Sequence, residues 1–165
     1  MIAKFAFTAA AIGVSVLMSG AAQAGPGGAG HGHHEETAFG KPGDPKKPAR
    51  PVSITMREMD GKMLFIPALI EVKRGEQVRF MLRNSGMLDH EIVLATLEEN
   101  LKHAKEMEKN PDMEHDDPNA KRLAPNKNGE FVWHFTKTGE FDFSCLIPGH
   151  REAGMTRPDP SEWVG

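Results

Sequence analysis

Apolar and polar residues alternate with a period of two in several short segments of the chain. This spacing is typical of a β-strand with one buried face, because successive side chains of a strand point to opposite sides. Turn-forming residues bound these segments: Asn84-Ser85-Gly86 follows one of them, and Thr138-Gly139 separates two others. Short strands of this kind, about seven in all, predict an all-β fold, a Greek-key β-sandwich. The clearest segments are residues 52–56, 78–82, 131–135 and 141–145.

One segment departs from the strand pattern. Thr96-Leu97-Glu98-Glu99 has the spacing of a capping box, in which the Thr96 side chain accepts from the backbone N–H of Glu99. An apolar stripe at helical spacing follows, and Asn110-Pro111 ends it. We therefore predict one short helical insertion around residues 96–110, and then a polar, proline-containing loop as far as Leu123. The predicted stripe consists of Leu97, Leu101, Ala104 and Met107.

The N-terminus has the organisation of an export signal. Lys4 precedes the apolar stretch 5–18, and Ala22-Gln23-Ala24 gives a small-x-small cleavage pattern. We predict that residues 1–24 are a signal peptide, that the protein is periplasmic, and that no membrane segment remains after cleavage. Residues 25–50 are rich in glycine, proline and charge and poor in apolar residues, which predicts a disordered tail. The folded domain is then expected over residues 51–165.

The chain contains a single cysteine, Cys145. Exported proteins meet oxidising conditions in which cysteines normally pair, and this one has no partner within the chain. Such a thiol is either buried and inert, or its thiolate binds a metal. The spacing Cys145-x4-His150-x4-Met155 after a predicted strand favours the metal. A thiolate, imidazoles and a weak thioether form the ligand set of copper that changes between its +1 and +2 states.

A second imidazole has to come from another part of the chain. His90, which follows a loop after the 78–82 strand, is the best-placed donor. His134 lies on a predicted strand face opposite Trp133, and His103 and His115 lie in the insertion. Spacing alone leaves these alternatives open.

Three features together resemble the cupredoxin family, the plastocyanin and azurin type of copper protein. They are Gly139-x-Phe141-x-Phe143-x-Cys145, the Cys-x4-His-x4-Met spacing, and an upstream Asn84…Asp89-His90 segment, and they cover about residues 52–155. The resemblance implies a β-sandwich with one copper ion near one end and electron transfer without bond-making catalysis. Its implied ligands are His90, Cys145, His150 and Met155.

The chain departs from the cupredoxin pattern at two places. Many members follow the first histidine with asparagine, which steadies the cysteine sulfur, whereas this chain has Glu91. Pro158 and Pro160 prevent the closing strand that usually comes directly after the methionine. The exported, His-tailed and Met-containing context resembles the periplasmic copper-tolerance cupredoxins more than the photosynthetic ones.

Further histidine and methionine side chains raise the hypothesis of a second copper function. His31, His33 and His34 of the tail form a candidate weak copper site, or are simply solvated. The methionines either supply thioether ligands for Cu(I) or fill the core as adaptable apolar side chains. His103 and Met107, four residues apart, are able to share a helix face. The methionines concerned are Met56, Met59, Met63, Met87, Met107 and Met113.

Charge and histidine pattern exclude several function classes. Without the signal peptide, 19 basic and 23 acidic residues leave a net charge of −4, with no basic patch for nucleic acid. Catalysis of the copper-oxidase kind needs further histidines, and the folded part has no His-x-His pair, so we do not expect an enzyme. We expect a monomer that transfers single electrons in copper tolerance and meets a redox or copper-handling protein near His150. The alternative is a protein that sequesters or delivers copper through its tail and methionines.

Overall fold

The computed structural model describes residues 36–111 and 117–158 of the chain. Within these ranges the chain forms eight strands, which make two sheets, and one helix. The strands are β1 Lys41–Pro42, β2 Arg50–Met59, β3 Lys62–Ile66, β4 Gln77–Asn84, β5 His90–Ala95, β6 Ala120–Leu123, β7 Asn128–His134 and β8 Asp142–Ser144, and helix α1 spans Leu97–Met107. The predicted all-β class with one helical insertion is confirmed.

The larger sheet has the strand order β1-β7-β4-β2-β3. β2 runs parallel to β4, with Ile54 opposite Leu82, and β4 runs antiparallel to β7, with Phe80 opposite Phe131. Alternate side chains of these strands face the core, and the following are at most 9% exposed: Ile54, Met56, Val78, Phe80, Leu82, Phe131 and Trp133. Alternation in the sequence therefore located these strands and fixed which face of each is apolar.

The smaller sheet has the order β6-β5-β8. Its inner face, with Leu94 and Phe143, packs against the larger sheet in the main core. Its outer face is buried as well, because Val93 packs under Met107 of α1 and Leu146. Every residue of β5 and of β8 is consequently buried.

Helix α1 begins as the sequence predicts but turns a different face to the protein. Thr96 is the N-cap, and both hydrogen bonds of the capping box with Glu99 are present. Leu97 and Leu101, predicted to be buried, are 49% and 44% exposed. The buried face contains Asn100, whose amide donates to the Val93 carbonyl at 3.0 Å and to Asp142 at 2.8 Å. Met107 and Ala104 of the predicted stripe do pack against the protein, so the prediction was right for these two residues and wrong for Leu97 and Leu101.

Strand β6 lies in the segment predicted to be a loop, and that part of the prediction was wrong. Leu123 pairs with His90, and Ala120 pairs with Val93. The Asn119 side chain donates to the Leu94 carbonyl at 2.8 Å and continues the pairing beyond the strand. Lys121-Arg122 have little apolar character, so only the pairing with β5 reveals the strand.

Residues 36–50 belong to the fold, although the sequence predicted disorder over 25–50. Phe39 is 4% exposed and stacks on Trp133, with ring centroids 5.1 Å apart. The Trp133 indole N–H donates to the Phe39 carbonyl at 2.9 Å, and β1 pairs with β7. The contacts of Phe39 and β1 therefore order a segment whose average composition predicted disorder. The predicted signal peptide and the rest of the predicted tail, with His31, His33 and His34, lie outside the described residues.

Substituting Phe39 with alanine tests whether this N-terminal segment stabilises the sandwich. We expect the free energy of unfolding to fall by about 3 kcal/mol or more, since a buried phenylalanine is removed from its contact with Trp133. Denaturant unfolding followed by Trp133 fluorescence measures the change. Met87→Ala, at a side chain 88% exposed, serves as control and should change stability by less than about 0.5 kcal/mol. Equal stabilities of the two variants would contradict the anchor.

Candidate metal centre

The strand pairing of the smaller sheet brings two of the predicted ligands together. His90 is the first residue of β5, and Cys145 comes directly after the last residue of β8. These strands are antiparallel neighbours, with Val93 opposite Ser144, so the start of one lies beside the end of the other. Both side chains are fully buried.

The loop after Cys145 folds back on itself and returns beside its own starting point. The His150 N–H donates to the Ile147 carbonyl at 3.0 Å, and the Met155 N–H donates to the His150 carbonyl at 3.0 Å. The Cys145 N–H in turn donates to the Met155 carbonyl at 3.0 Å and closes the loop. Gly149 and Gly154 have φ of 86° and 102°, a left-handed conformation that a side chain disfavours. The spacing between Cys145 and Met155 is therefore that of a closed loop.

Three donor atoms converge inside this arrangement. The Cys145 Sγ lies 3.3 Å from the His150 Nδ1, which lies 3.3 Å from the His90 Nδ1. All three atoms are within 4.8 Å of one another, close enough to bind one metal ion. Met155 is fully buried in the same core. A soft thiolate with two imidazoles is the donor set that suits copper, so the residues present fit that metal.

The environment of the Cys145 sulfur favours a neutral thiol while no metal is bound. Burial raises the pKa of this thiol to about 12, and the nearby Glu91 carboxylate adds to the rise. The Glu91 backbone N–H opposes it by donating to Sγ at 3.5 Å. A bound cation would supply the positive charge that the thiolate otherwise lacks.

Glu91 occupies the position where the cupredoxin pattern usually has asparagine. Its backbone N–H points at the cysteine sulfur, and its side-chain Oε1 accepts from the Leu146 N–H at 3.0 Å. A 6% exposed glutamate thus bonds to the backbone on the far side of Cys145. The sequence identified this departure, and the structure shows that Glu91 still steadies residues 145–155, which we call the ligand loop.

His150 is kept in the form that binds metal. Burial lowers the pKa of its imidazole, and the neighbouring His90 lowers it further. The ring is then neutral at pH 7, with one nitrogen lone pair available for a cation. The residue is 8% exposed, whereas His90 and Cys145 are fully buried, so it is the most exposed of the three converging donors.

Two groups around the site were not predicted from the sequence. Glu58 of β2 contacts the outer ring nitrogen of His90, with 3.0 Å between its Oε1 and Nε2. Burial alone would raise the pKa of Glu58, but the backbone N–H groups of Met87 and Leu88 and the His90 ring hold it below the usual value. Asp142 is the second group, and it accepts from Arg151 of the ligand loop at 3.0 Å. Neither residue belongs to a recognisable motif, so only the folded structure shows these contacts.

The competing histidines lie elsewhere. His134 of β7 has its Nε2 3.2 Å from the Gly75 carbonyl and is not part of the cluster. His103 lies on α1, and His115 lies outside the described residues. Of the methionines, Met56 and Met107 are fully buried among apolar side chains, as expected for core residues, whereas Met87 and Met59 are 88% and 42% exposed.

The buried thiol should be unreactive in the metal-free folded protein. With a pKa of about 12, the thiolate fraction at pH 7 is about 10⁻⁵, far below that of a free cysteine. We expect alkylation of Cys145 to be at least about a hundredfold slower than in denaturant and to accelerate as the pH rises. Mass spectrometry of the alkylated protein over time measures the rate. Rapid modification of the folded protein at pH 7 would contradict the burial of Sγ.

The chain belongs to the plastocyanin/azurin family of copper-binding proteins, whose sequence profile it matches over residues 52–157. Within this class its curated relatives are copper-resistance cuproproteins. It is 50% identical over 125 residues to the copper-resistant cuproprotein CopI of Rubrivivax gelatinosus. The matched region covers 76% of this chain and 74% of the relative. The protein of the same name from Pseudomonas aeruginosa is 35% identical, over 89% of this chain and 91% of that one.

Solved structures agree on the fold. Auracyanin B superposes with a TM-score of 0.57 at 20% identity, over 73% of this chain and 92% of that structure. Auracyanin from Roseiflexus castenholzii gives a TM-score of 0.54 at 19% identity, over 67% of this chain and 94% of that structure. At these identities the likeness concerns the sandwich alone, and it confirms the cupredoxin-like fold.

Proposed function

We propose that this protein binds one copper ion through His90 Nδ1, Cys145 Sγ and His150 Nδ1, with the Met155 thioether as a weak fourth ligand. The ion would cycle between Cu(I) and Cu(II), so that the protein carries single electrons in the periplasm as part of copper tolerance. The convergence of the three donor atoms within 4.8 Å carries this proposal. The copper-resistant relatives support the biological setting.

The protein's own contribution is a rigid set of donors. Cys145 is fixed by its backbone bond to Met155, and its sulfur accepts from the Glu91 N–H. All three donor side chains are buried, so little water rearranges when the charge at the site changes by one. Electron transfer benefits from such a site because the ligands need not move between oxidation states.

The face around His150 has the character of a surface that another protein could contact. Met87 and Leu88 are 88% and 45% exposed, and Pro148 is exposed beside the partly buried Ile147. Leu146, which neighbours Ile147 in sequence, is not part of this surface, because it is buried against Met107 of α1. A small apolar surface near a ligand edge suits brief contact with a redox or copper-handling protein. We propose this face as the site of electron exchange by a monomer.

Met155→Leu tests the fourth ligand. The swap keeps the buried volume, so it should cost less than about 1.5 kcal/mol of stability. The intense thiolate-to-copper absorption should remain but move in energy, and the Cu(II) EPR parameters should change with it, because one donor is gone. Met81→Leu, at an exposed position on β4, is the control and should match the wild type. Spectra of Met155→Leu identical to wild type would show that the thioether does not reach the ion.

A redox titration of the copper-loaded mature protein tests the proposed electron transfer, and we expect a reversible one-electron couple.

Complementation tests the role in copper tolerance. We expect a strain that lacks the protein to regain tolerance with the wild-type gene but not with the His150→Ala variant. Tolerance restored fully by His150→Ala would contradict a role for the buried site.

Sequestration or delivery of copper is the second candidate function. It is favoured by the exposed thioether of Met87, which lies three residues before His90 in the sequence. Deletion of residues 25–35 discriminates the two functions. This deletion spares Phe39 and the rest of the described N-terminal segment, which belong to the fold. If electron transfer is the role, tolerance persists without the tail. Loss of tolerance while the coloured site persists would favour sequestration.

A further inference from the structure

The carboxylate of Glu58 joins β2 to the loop that precedes His90. One oxygen, Oε2, accepts from the Met87 N–H at 3.0 Å. The other, Oε1, accepts from the Leu88 N–H at 3.0 Å and lies 3.0 Å from the His90 Nε2. Two backbone N–H groups of this loop and the His90 ring thus converge on a single side chain that is 28% exposed.

The contact with His90 determines which ring nitrogen faces the other ligands. A carboxylate only accepts hydrogen bonds, so the ring nitrogen that faces Glu58, Nε2, carries a proton. The Nδ1 lone pair is then directed to the His150 Nδ1, 3.3 Å away, and to the space beside Cys145. The pairing therefore selects the tautomer that binds a metal through Nδ1.

The loop is built so that Glu58 keeps this position. Asn84 secures it from the inner side, because its amide donates to the Leu88 carbonyl at 2.7 Å and its Oδ1 accepts from the Gly86 N–H at 2.9 Å. Gly86 packs directly on the carboxylate. A Cβ at this residue would lie 2.9 Å from Oε1 and closer still to Oε2. A side chain at residue 86 would therefore displace the Glu58 carboxylate from this position.

We propose that Glu58 is a positioning residue for the copper site, orienting His90 and biasing the bound ion toward Cu(II). The inference rests on the proposed function, since it concerns the same ion. A carboxylate on the outer nitrogen of a histidine ligand holds the ring and raises its basicity. Its negative charge also favours the more positive oxidation state. The partial exposure of Glu58 moderates the charge effect without removing the hydrogen bond.

Two substitutions separate orientation from charge. Glu58→Gln removes the charge and keeps an oxygen that accepts from Nε2, whereas Glu58→Ala removes both. Glu140→Gln is the matched control, because the substitution makes the same change in net charge at an exposed carboxylate. Glu140 precedes β8 and pairs with Arg157. Two readouts are compared: ¹⁵N NMR of the His90 ring in the metal-free protein, and the affinities for Cu(II) and Cu(I).

We expect the metal-free wild type to show a proton on Nε2 of His90. In Glu58→Gln that tautomer should remain, while the ratio of Cu(II) to Cu(I) affinity falls about tenfold, equivalent to a reduction potential about 59 mV higher. Glu58→Ala should mix the two tautomers and lose about 10–100-fold in Cu(II) affinity. Glu140→Gln should stay within about twofold of the wild type, as expected of an exposed, screened charge.

A proton on Nδ1 in the wild type would overturn the inference, as would Glu58 variants whose affinities match those of Glu140→Gln. If a variant fails to fold, the tautomer in the metal-free wild type still decides the question. Failure of the proposed function gives a different result: the wild type would lack thiolate-bound copper altogether. The Nε2 proton would in that case still report the Glu58–His90 pair.

Discussion

Asp142→Ala is expected to lower the free energy of unfolding of the metal-free protein by about 3–5 kcal/mol, the cost of leaving a buried ion pair without one partner. The Asp142 side chain is 4% exposed and accepts from Arg151 at 3.0 Å, from Asn100 at 2.8 Å and from Ser144 at 2.6 Å. The substitution leaves all three donors in a space that water reaches poorly. The effect should be large because one carboxylate connects β8, α1 and the ligand loop.

Denaturant unfolding measures this loss, and Glu140→Ala supplies the comparison. Glu140 pairs with Arg157 at 3.3 Å but is 71% exposed, so its removal should cost less than about 1 kcal/mol. A double-mutant cycle of Asp142 with Arg151 should show a coupling energy above about 0.5 kcal/mol. Similar stabilities of Asp142→Ala and Glu140→Ala would contradict a structural role for the buried cluster.

Copper itself should produce the second large effect on stability. A ligand that binds only the folded state at a free concentration 100 times its dissociation constant adds about 2.7 kcal/mol, and about 4.1 kcal/mol at 1,000 times. The site meets this condition, because His90 and His150 lie 60 residues apart and converge only through the fold. Binding of copper to Cys145 and histidines of the unfolded chain would reduce the gain.

Thermal unfolding of the protein with and without Cu(I), buffered by a competing ligand, measures the gain. Cys145→Ser should abolish most of it, while His134→Ala, at a histidine outside the cluster, should keep it. A gain that survives Cys145→Ser unchanged would place the stabilising copper at another site.

The parts of the site that the sequence predicted are those set by local spacing. Cys145, His150 and Met155 lie within eleven consecutive residues, and their loop closes through hydrogen bonds between near neighbours. His90 was harder, because spacing left other histidines open and the family resemblance decided among them. The pairing of β5 with β8 supplies the physical reason for that choice.

The remaining contacts depend on distant segments that no local pattern encodes. Glu58 reaches His90 across 32 residues, and Asn100 reaches Asp142 across 42. Periodicity recognises apolar faces, so it could not reveal that α1 buries Asn100 in place of Leu97 and Leu101. These polar contacts could be identified only from the folded structure.

Composition misled for the same reason at the N-terminal segment. Averaged over residues 25–50 the chain is polar and rich in glycine and proline, which is the signature of disorder. Yet Phe39 packs on Trp133, β1 pairs with β7, and the Gln77 side chain of β4 bonds to the Asp44 backbone, so residues 36–50 are attached to the larger sheet. Within the part of the chain that the structure describes, no helix is long and apolar enough to cross a membrane.

The central claim is that a copper ion is bound by the sulfur of Cys145 together with two converging imidazoles. The optical and EPR spectrum of the mature protein with one equivalent of Cu(II) tests it most directly. We predict an intense thiolate-to-copper charge-transfer band in the visible region, lost in Cys145→Ser and kept in His134→Ala. A wild-type Cu(II) spectrum that contains no thiolate band would contradict the account.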